Sequence, residues 1–324
     1  MKIKILLGCL IGFSQLSLAT VTHASGLLPI KADYVSSDYA KTKYPIVLGH
    51  GMMGFTRLGT NALGLDYWYQ ITPDLARNGA SVFATQVPPF NSTEVRGEEL
   101  LQQVDEVIAL TGKAKVNLIG HSHGGPTVQY VEVVAPEKVA STTVISGGMK
   151  GTPLADEVIS NNFLGPLVNA VVLILSPSIS ILEGSPLLPH DFKPAFRSLS
   201  VAGRTEFNAK HPTAAIPADC ASQGQKITSD GIYHYSWTGD KKVTNVLDIL
   251  DTGVAVFVSG MLGNQPNDGL VPICSSVYGQ MIRNNYNWNH FDAINQVLGL
   301  KAWNAQDPVA VFRQHANRLK LEGL

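Results

Sequence analysis

The chain alternates between two kinds of apolar pattern. Short unbroken runs, Tyr44 to Gly51 (YPIVLGHG), Ala80 to Val87 (ASVFATQV), Lys115 to Ser122 (KVNLIGHS), Ala140 to Gly148 (ASTTVISGG) and Val254 to Gly260 (VAVFVSG), are too brief for helices and too apolar for half-exposed strands. They read as buried strands. Helical spacing lies between them. From Gly97 to Gly112 the residues Leu100, Leu101, Val104, Val107 and Ile108 fall on one stripe, and the closing glycine supplies a helix terminus. Strands alternating with such helices predict an α/β protein whose mostly parallel central sheet carries helices on both faces. With no repeat, low-complexity tract or linker beyond the first 24 residues, one domain over residues 25–324 is expected.

Two segments break this pattern. Residues 1–24 carry two lysines, an apolar run and small residues around His23 and Ala24, the layout of a cleavable secretory signal. A membrane anchor is the competing reading, weakened by Ser14, Gln15 and Ser17 inside the run. Val158 to Leu182 contains no charged residue. Its length matches a bilayer, but three asparagines and two prolines interrupt it. An amphipathic cover over an apolar site, a lid at about residues 158–183, is expected, with a buried helix as the alternative.

Composition narrows the partners. A net charge of −1 leaves no basic excess for nucleic acid, so none is expected. Of three cysteines, Cys9 lies in the signal, leaving Cys220 and Cys274 in an exported chain where oxidation is permitted. A disulfide closing that loop of about 55 residues is worth roughly 4 kcal/mol on the chain-entropy model.

The chemistry concentrates in Gly120-His121-Ser122-His123-Gly124. This is G-x-S-x-G, placed after an apolar run and before the helical pattern PTVQYVEVVA, where glycines allow a sharp strand-to-helix turn and Ser122 stands above the sheet. A serine hydroxyl needs a base, and the base needs an acid to orient it. In this architecture the acid follows the serine and the histidine follows the acid. His123, His190, His211, His234, His290 and His315 all follow Ser122. His290 stands out in a late asparagine-rich loop, Arg283 to Gln296, that feeds a helix, whereas His315 reads as part of a C-terminal surface helix. Asp268, after the run at 254–260 and a turn-rich loop, is the leading acid, with Asp240 and Asp251 as rivals. An oxyanion hole requires two backbone N–H groups, one after the nucleophile and one after an early strand. His123 and Met52 are the candidates.

At these residues the chain resembles the secreted true lipases of bacterial lipase family I, the Pseudomonas and Burkholderia type with the α/β-hydrolase fold. The resemblance spans Tyr44 to Leu324 and rests on HGMMGF, LDYWYQI, GHSHGG, FNAKHP, YSW, TNVLD, NDGLV and NHFDAINQ. It implies extracellular hydrolysis of acylglycerols at a lipid–water interface by the triad Ser122, Asp268 and His290, with Met52 and His123 as oxyanion donors and a Cys220–Cys274 disulfide. It further implies one structural calcium ion held by Asp248, Asp292, Gln296 and Leu300. Asp251 lies close enough in sequence to compete for the Asp248 position, and Asp292 as a simple helix cap is the alternative to ligation. A lipase-specific foldase, type II secretion through the periplasm and a monomeric state complete the implied picture. An esterase or acyltransferase on the same fold, or a non-catalytic lipid-binding module, are the rival functions.

Overall fold

The computed structural model of the chain describes residues 26–59, 64–161, 165, 188–248 and 261–324. Within them, β1 (Leu28–Ile30), β2 (Ile46–Gly49), β5 (Val82–Thr85), β6 (Val116–His121), β7 (Val139–Ile145), β8 (Tyr233–Gly239) and β9 (Gln280–Tyr286) pair into one seven-stranded sheet of order β1-β5-β2-β6-β7-β8-β9. Only β1 runs antiparallel. A two-stranded ribbon, β3 (Arg57–Gly59) with β4 (Gly64–Asp66), stands apart.

Four of the apolar runs are strands of this sheet, and the central ones are buried on both faces. Ile46 and Leu48 of β2 point to one side, against α1 (Ile71–Arg77) and α7 (Pro308–Leu321), in a core with Trp68, Trp237, Trp288 and Phe312. Val47 points to the other, where α2 (Thr93–Thr111) and α3 (Gly124–Val134) contribute Leu100, Val104, Val107, Val128 and Val131. Burial on both faces removes the polar alternation that a one-sided sheet would show. α2 begins four residues before Gly97 because the Ser92 hydroxyl accepts the Val95 N–H and caps it, and Gly112, at φ 65°, ends it. Three shorter helices, α4 (Pro153–Ser160), α5 (Phe192–Leu199) and α6 (Val201–Lys210), follow β7 in the chain and pack on one another.

Three expectations need correction. α7 is not a surface helix at His315: that side chain is fully buried, bonded to Thr143 Oγ1 at 2.8 Å, beside Phe312, Ala316 and Leu319. Its polar sequence hides a buried face. The segment from Arg283 to Tyr286 is not loop but the end of β9, whose edge position leaves it polar and partly exposed. After His290 the chain makes a 3-10 turn, Asp292–Ile294, rather than entering a helix. The signal at 1–24, nearly all of the expected lid and the run at Val254 to Gly260 lie outside the described residues. No helix among the described residues is long and apolar enough to cross a membrane.

Cys220 and Cys274 form a disulfide with Cα atoms 5.0 Å apart, fastening the long connection after α6 to the turn at Ile273–Ser276. The Cys220→Ser/Cys274→Ser double variant is expected to lose up to about 4 kcal/mol of unfolding free energy in urea titration, and an unmoved midpoint would contradict the assigned role.

Candidate active site

Between the last residue of β6 and the first of α3 the chain reverses direction in two residues. Ser122 takes φ 55°, a left-handed conformation that costs a non-glycine residue about 1–3 kcal/mol. Two glycines make the turn feasible. A Cβ on Gly120 would strike the Gly124 carbonyl, and one on Gly124 would strike the Gly49 carbonyl of the neighbouring strand. The Ser122 N–H bonds the Ile145 carbonyl at 2.9 Å and its carbonyl accepts the Gly125 N–H at 2.9 Å, so both sides of the residue are held while its hydroxyl is left half-buried.

His290 reaches the same rim on the loop after β9. Its Nδ1 lies 2.8 Å from Asp268 Oδ2, with both side chains buried. The other Asp268 oxygen accepts the Leu270 and Val271 N–H groups at 3.0 and 2.8 Å, and the Asp268 carbonyl accepts the His290 N–H at 2.8 Å. Acid and histidine are thus tied through backbone as well as side chain. With Nδ1 occupied, Nε2 is the nitrogen left to face a hydroxyl. The His290 ring packs on the ring of His121, the residue before Ser122, with centroids 4.7 Å apart. The rival acid Asp240 pairs with the surface Lys241, and Asp251 lies outside the described residues. Of the other histidines, His234 on β8 bonds Glu132 and His315 on α7 bonds Thr143, so each is buried with a partner of its own outside this constellation.

The loop after β2 closes the third side. A Cβ on Gly51 would sit 2.8 Å from Ser122 Cβ, so this loop abuts the serine directly. Among the described residues neither the Met52 N–H nor the His123 N–H meets a protein acceptor. His123 contributes only its backbone here, because its imidazole is buried and bonded to Thr93 Oγ1 at 3.1 Å. The loop is clamped from below by Arg96, fully buried on α2, whose guanidinium donates to the carbonyls of His50, Gly51 and Pro88 and to Thr127 Oγ1. Burial lowers the Arg96 pKa to about 9, which still leaves it cationic at neutral pH. That charge and burial keep the neighbouring imidazoles neutral: burial first, then Arg96, takes His50 down to about 3 and His123 well below the usual range. His121 is held neutral by burial and the nearby His290.

The four residues expected around a cation come together in part. Asp248 and Asp292 are both buried carboxylates, and the Val297 N–H bonds Asp248 Oδ2 at 3.2 Å, bringing the Asp248 loop against the segment that holds Gln296 and Leu300. Asp292 Oδ2 accepts the Asn289 N–H at 3.1 Å, and Asp292 does not cap the turn it begins. The Gln296 amide nitrogen is taken by the Asp66 and Tyr67 carbonyls. Its oxygen accepts the Leu298 N–H at 3.4 Å and keeps a lone pair for a cation. Among the described residues no three His, Cys, Asp or Glu side chains gather as a metal cluster. A cation here would therefore rest on two carboxylates supplemented by amide and main-chain oxygens, a hard donor set that suits calcium.

Arg96, Tyr67 and His121 went unrecognised in the sequence. Arg96 carried a signal, since it precedes Leu100 by four residues on the apolar stripe of α2, where an arginine is buried only with partners.

A nucleophile turn between a parallel strand and a helix, followed in chain order by an acid and a histidine, defines a serine hydrolase of the α/β-hydrolase type. Residues 44–172 match the family model described as alpha/beta hydrolase fold. The chain is 41% identical to a triacylglycerol lipase of Vibrio cholerae serotype O1, covering 100% of this chain and 99% of that one. It is 37% identical to a triacylglycerol lipase of Burkholderia plantarii over 94% of this chain and 93% of that one. The mature lipase of Bacillus licheniformis superposes with a TM-score of 0.59 over 91% of this chain and 98% of that one; at 18% identity it attests the fold alone. The chain belongs to the family of bacterial triacylglycerol lipases.

Two outcomes follow from the buried shell. Arg96→Lys keeps the charge but cannot span three carbonyls with a single ammonium, so kcat on a soluble ester is expected to fall about tenfold or more. A wild-type kcat would show that the clamp is dispensable. Separately, His50, His121, His123 and His315 are neutral when folded and take up protons near pH 6.5 when unfolded. Their folded pKa values are depressed, so the unfolded state binds more protons below about pH 6.5. Stability should be complete above that pH and decline as pH falls toward the folded values, by about 1.4 kcal/mol per pH unit for each histidine. Urea titrations from pH 7 to pH 5 should show this slope, shallower for His123→Gln, and a flat profile would contradict it.

Proposed function

We propose that this chain is an extracellular triacylglycerol lipase that cleaves carboxylic esters of acylglycerols at a lipid–water interface through an acyl-enzyme on Ser122. The observation that carries the reading is a left-handed Ser122 flanked by two backbone N–H groups that meet no acceptor among the described residues, on the rim where Asp268 orients His290. Relatives named triacylglycerol lipase at 37–41% identity over nearly their whole length support the substrate class.

The steps follow from the atoms. His290 Nε2 takes the Ser122 proton as Oγ attacks the ester carbonyl. Asp268 accepts the Nδ1–H, which fixes the tautomer and stabilises the imidazolium. The N–H groups of Met52 and His123 receive the negative oxygen of the tetrahedral intermediate, in a setting where the positive end of α3 adds to the field. His290 then gives the proton to the departing glyceride oxygen. Water, deprotonated by His290 in turn, releases the fatty acid. No cofactor enters these bonds.

The same proposal includes one structural calcium ion held by Asp248, Asp292, Gln296 and Leu300. Its chemistry is to bind oxygens from separate loops and so tighten the segment that carries His290, two residues from Asp292. Also included are removal of residues 1–24 as a signal, folding with a lipase-specific foldase, which the cysteine pair favours, passage through the periplasm to the type II machinery, and a monomeric state.

Ser122→Ala is expected to reduce ester hydrolysis below a thousandth of wild type with the melting temperature retained; greater residual activity would mean another nucleophile. Emulsified triolein beside a series of p-nitrophenyl esters separates lipase from esterase: hydrolysis confined to soluble short esters contradicts the proposal. For the ion, EDTA should lower the melting temperature of wild type towards that of Asp292→Asn and Asp248→Asn, and added calcium should restore wild type alone. Prolonged chelation without effect would remove the ion from the account.

A further inference from the structure

We infer that Tyr67 and His121 form a one-way hydrogen-bond relay that sets the spacing between the oxyanion loop and the loop of the base His290, making both of them positioning residues for the reaction proposed above. The Gly51 N–H lies 2.9 Å from Tyr67 Oη, Tyr67 Oη lies 2.7 Å from His121 Nδ1, and His121 Nε2 lies 3.0 Å from the carbonyl oxygen of His290. All four residues are buried or lie in buried bonds, so no solvent competes for these groups.

The direction of every proton in this chain is determined. The His290 carbonyl can only accept, so His121 Nε2 carries the hydrogen. Burial keeps the His121 ring neutral, so its Nδ1 is bare and can only accept. Tyr67 Oη must therefore donate to Nδ1, and its oxygen is free to accept the Gly51 N–H. Reversing the imidazole tautomer would set Nε2 and the carbonyl lone pair to lone pair and leave buried groups unsatisfied, which no solvent could relieve. The relay has one polarity: Gly51 to Tyr67 to His121 to His290.

Its ends are the two things a serine hydrolase must keep in register. Gly51 immediately precedes Met52, whose N–H is the proposed oxyanion donor. His290 carries the base. These loops are distant in sequence and leave different strands, β2 and β9, with β6, β7 and β8 between β2 and β9 in the sheet. Ser122 lies at the crossing point, since a Cβ on Gly51 would meet both Ser122 Cβ and Tyr67 Oη at 2.8 Å. The tyrosine is itself fixed, its ring edge-on to Trp68 and Phe55 and its carbonyl held by the Gln296 side chain. Neither Tyr67 nor His121 is required to touch the reacting atoms. Displacing an oxyanion donor or base by a fraction of an ångström suffices to cost rate.

The experiment uses the full mature enzyme and p-nitrophenyl butyrate in solution, where lipid adsorption plays no part. Tyr67→Phe keeps the ring and deletes the one atom that joins the two halves. It is expected to lower kcat about tenfold to a hundredfold with KM within about twofold, and to slow phosphonate labelling of the serine by the same factor. In the double variant Tyr67→Phe/His121→Asn, kcat should fall no further than in the poorer single variant, because members of one relay act as a unit. Retention of more than half of wild-type kcat in Tyr67→Phe, or losses in the double variant that multiply as independent packing defects do, would overturn the relay. Long-range proton–nitrogen spectra of wild type provide a readout that needs no variant to fold: His121 should be the neutral Nε2–H tautomer, and an Nδ1–H tautomer would break the chain of donors. Failure of the enzymatic reading is distinguishable, since wild-type ester cleavage that survives Ser122→Ala would refute that reading without touching the tautomer.

Discussion

Two carbonyl groups set the geometry on which this molecule's chemistry depends. The Gly49 and Gly124 carbonyls press so closely on neighbouring backbone that Gly124 and Gly120 cannot carry side chains, and the strand β6 can then pass into helix α3 through a single left-handed residue. Strain of about 1–3 kcal/mol at Ser122 is small against what the central strands and flanking helices bury, so the sheet can sustain it. A flatter turn would drop the hydroxyl into the sheet. The turn also sets Ser122 immediately before the start of α3, so that the proposed nucleophile stands at the positive end of a helix.

Around that turn the protein has placed polar groups where a hydrophobic core would be expected, and nearly all are matched, His123 Nδ1 being the exception. Arg96 makes four hydrogen bonds, to three carbonyls and a hydroxyl; His50, His121 and His123 remain neutral and act as directional connectors rather than charges. A buried cation directed at carbonyls of the oxyanion loop holds those carbonyls inward, while the Met52 N–H meets no acceptor among the described residues. Buried networks of this sort gain specificity from their pairing, since any misplacement leaves a further unpaired group in a low-dielectric interior. The two histidines flanking Ser122 thereby acquire separate duties, His123 anchoring the start of α3 to α2 and His121 linking Tyr67 to the His290 loop.

Much of this was legible in the chain because local rules and global fold agree there. Unbroken apolar runs announced buried parallel strands, Gly112 announced the end of α2, and glycine spacing around Ser122 announced the turn. The nomination of Asp268 and His290 used chain order, and the structure sets them 2.8 Å apart. Where the sequence misled, a tertiary position overrode composition. β9 is polar because it is an edge strand, and α7 buries His315 because Thr143 on β7 supplies its partner. Tyr67 and Arg96 were not legible as parts of the site, since their roles exist only through partners 16 to 54 residues away in one case and up to 46 in the other. No local period reports such convergence.

The most direct test of the central claim, that Ser122 is presented between two waiting backbone donors and an oriented base, is a crystal structure of the enzyme inactivated by an alkyl phosphonate. Phosphorus is expected bonded to Ser122 Oγ, with one phosphoryl oxygen about 2.7–3.1 Å from the nitrogens of both Met52 and His123 and His290 Nε2 within hydrogen-bond reach of Oγ. A phosphonate attached elsewhere, or bonded to Ser122 with its oxygen turned away from both nitrogens, would contradict it.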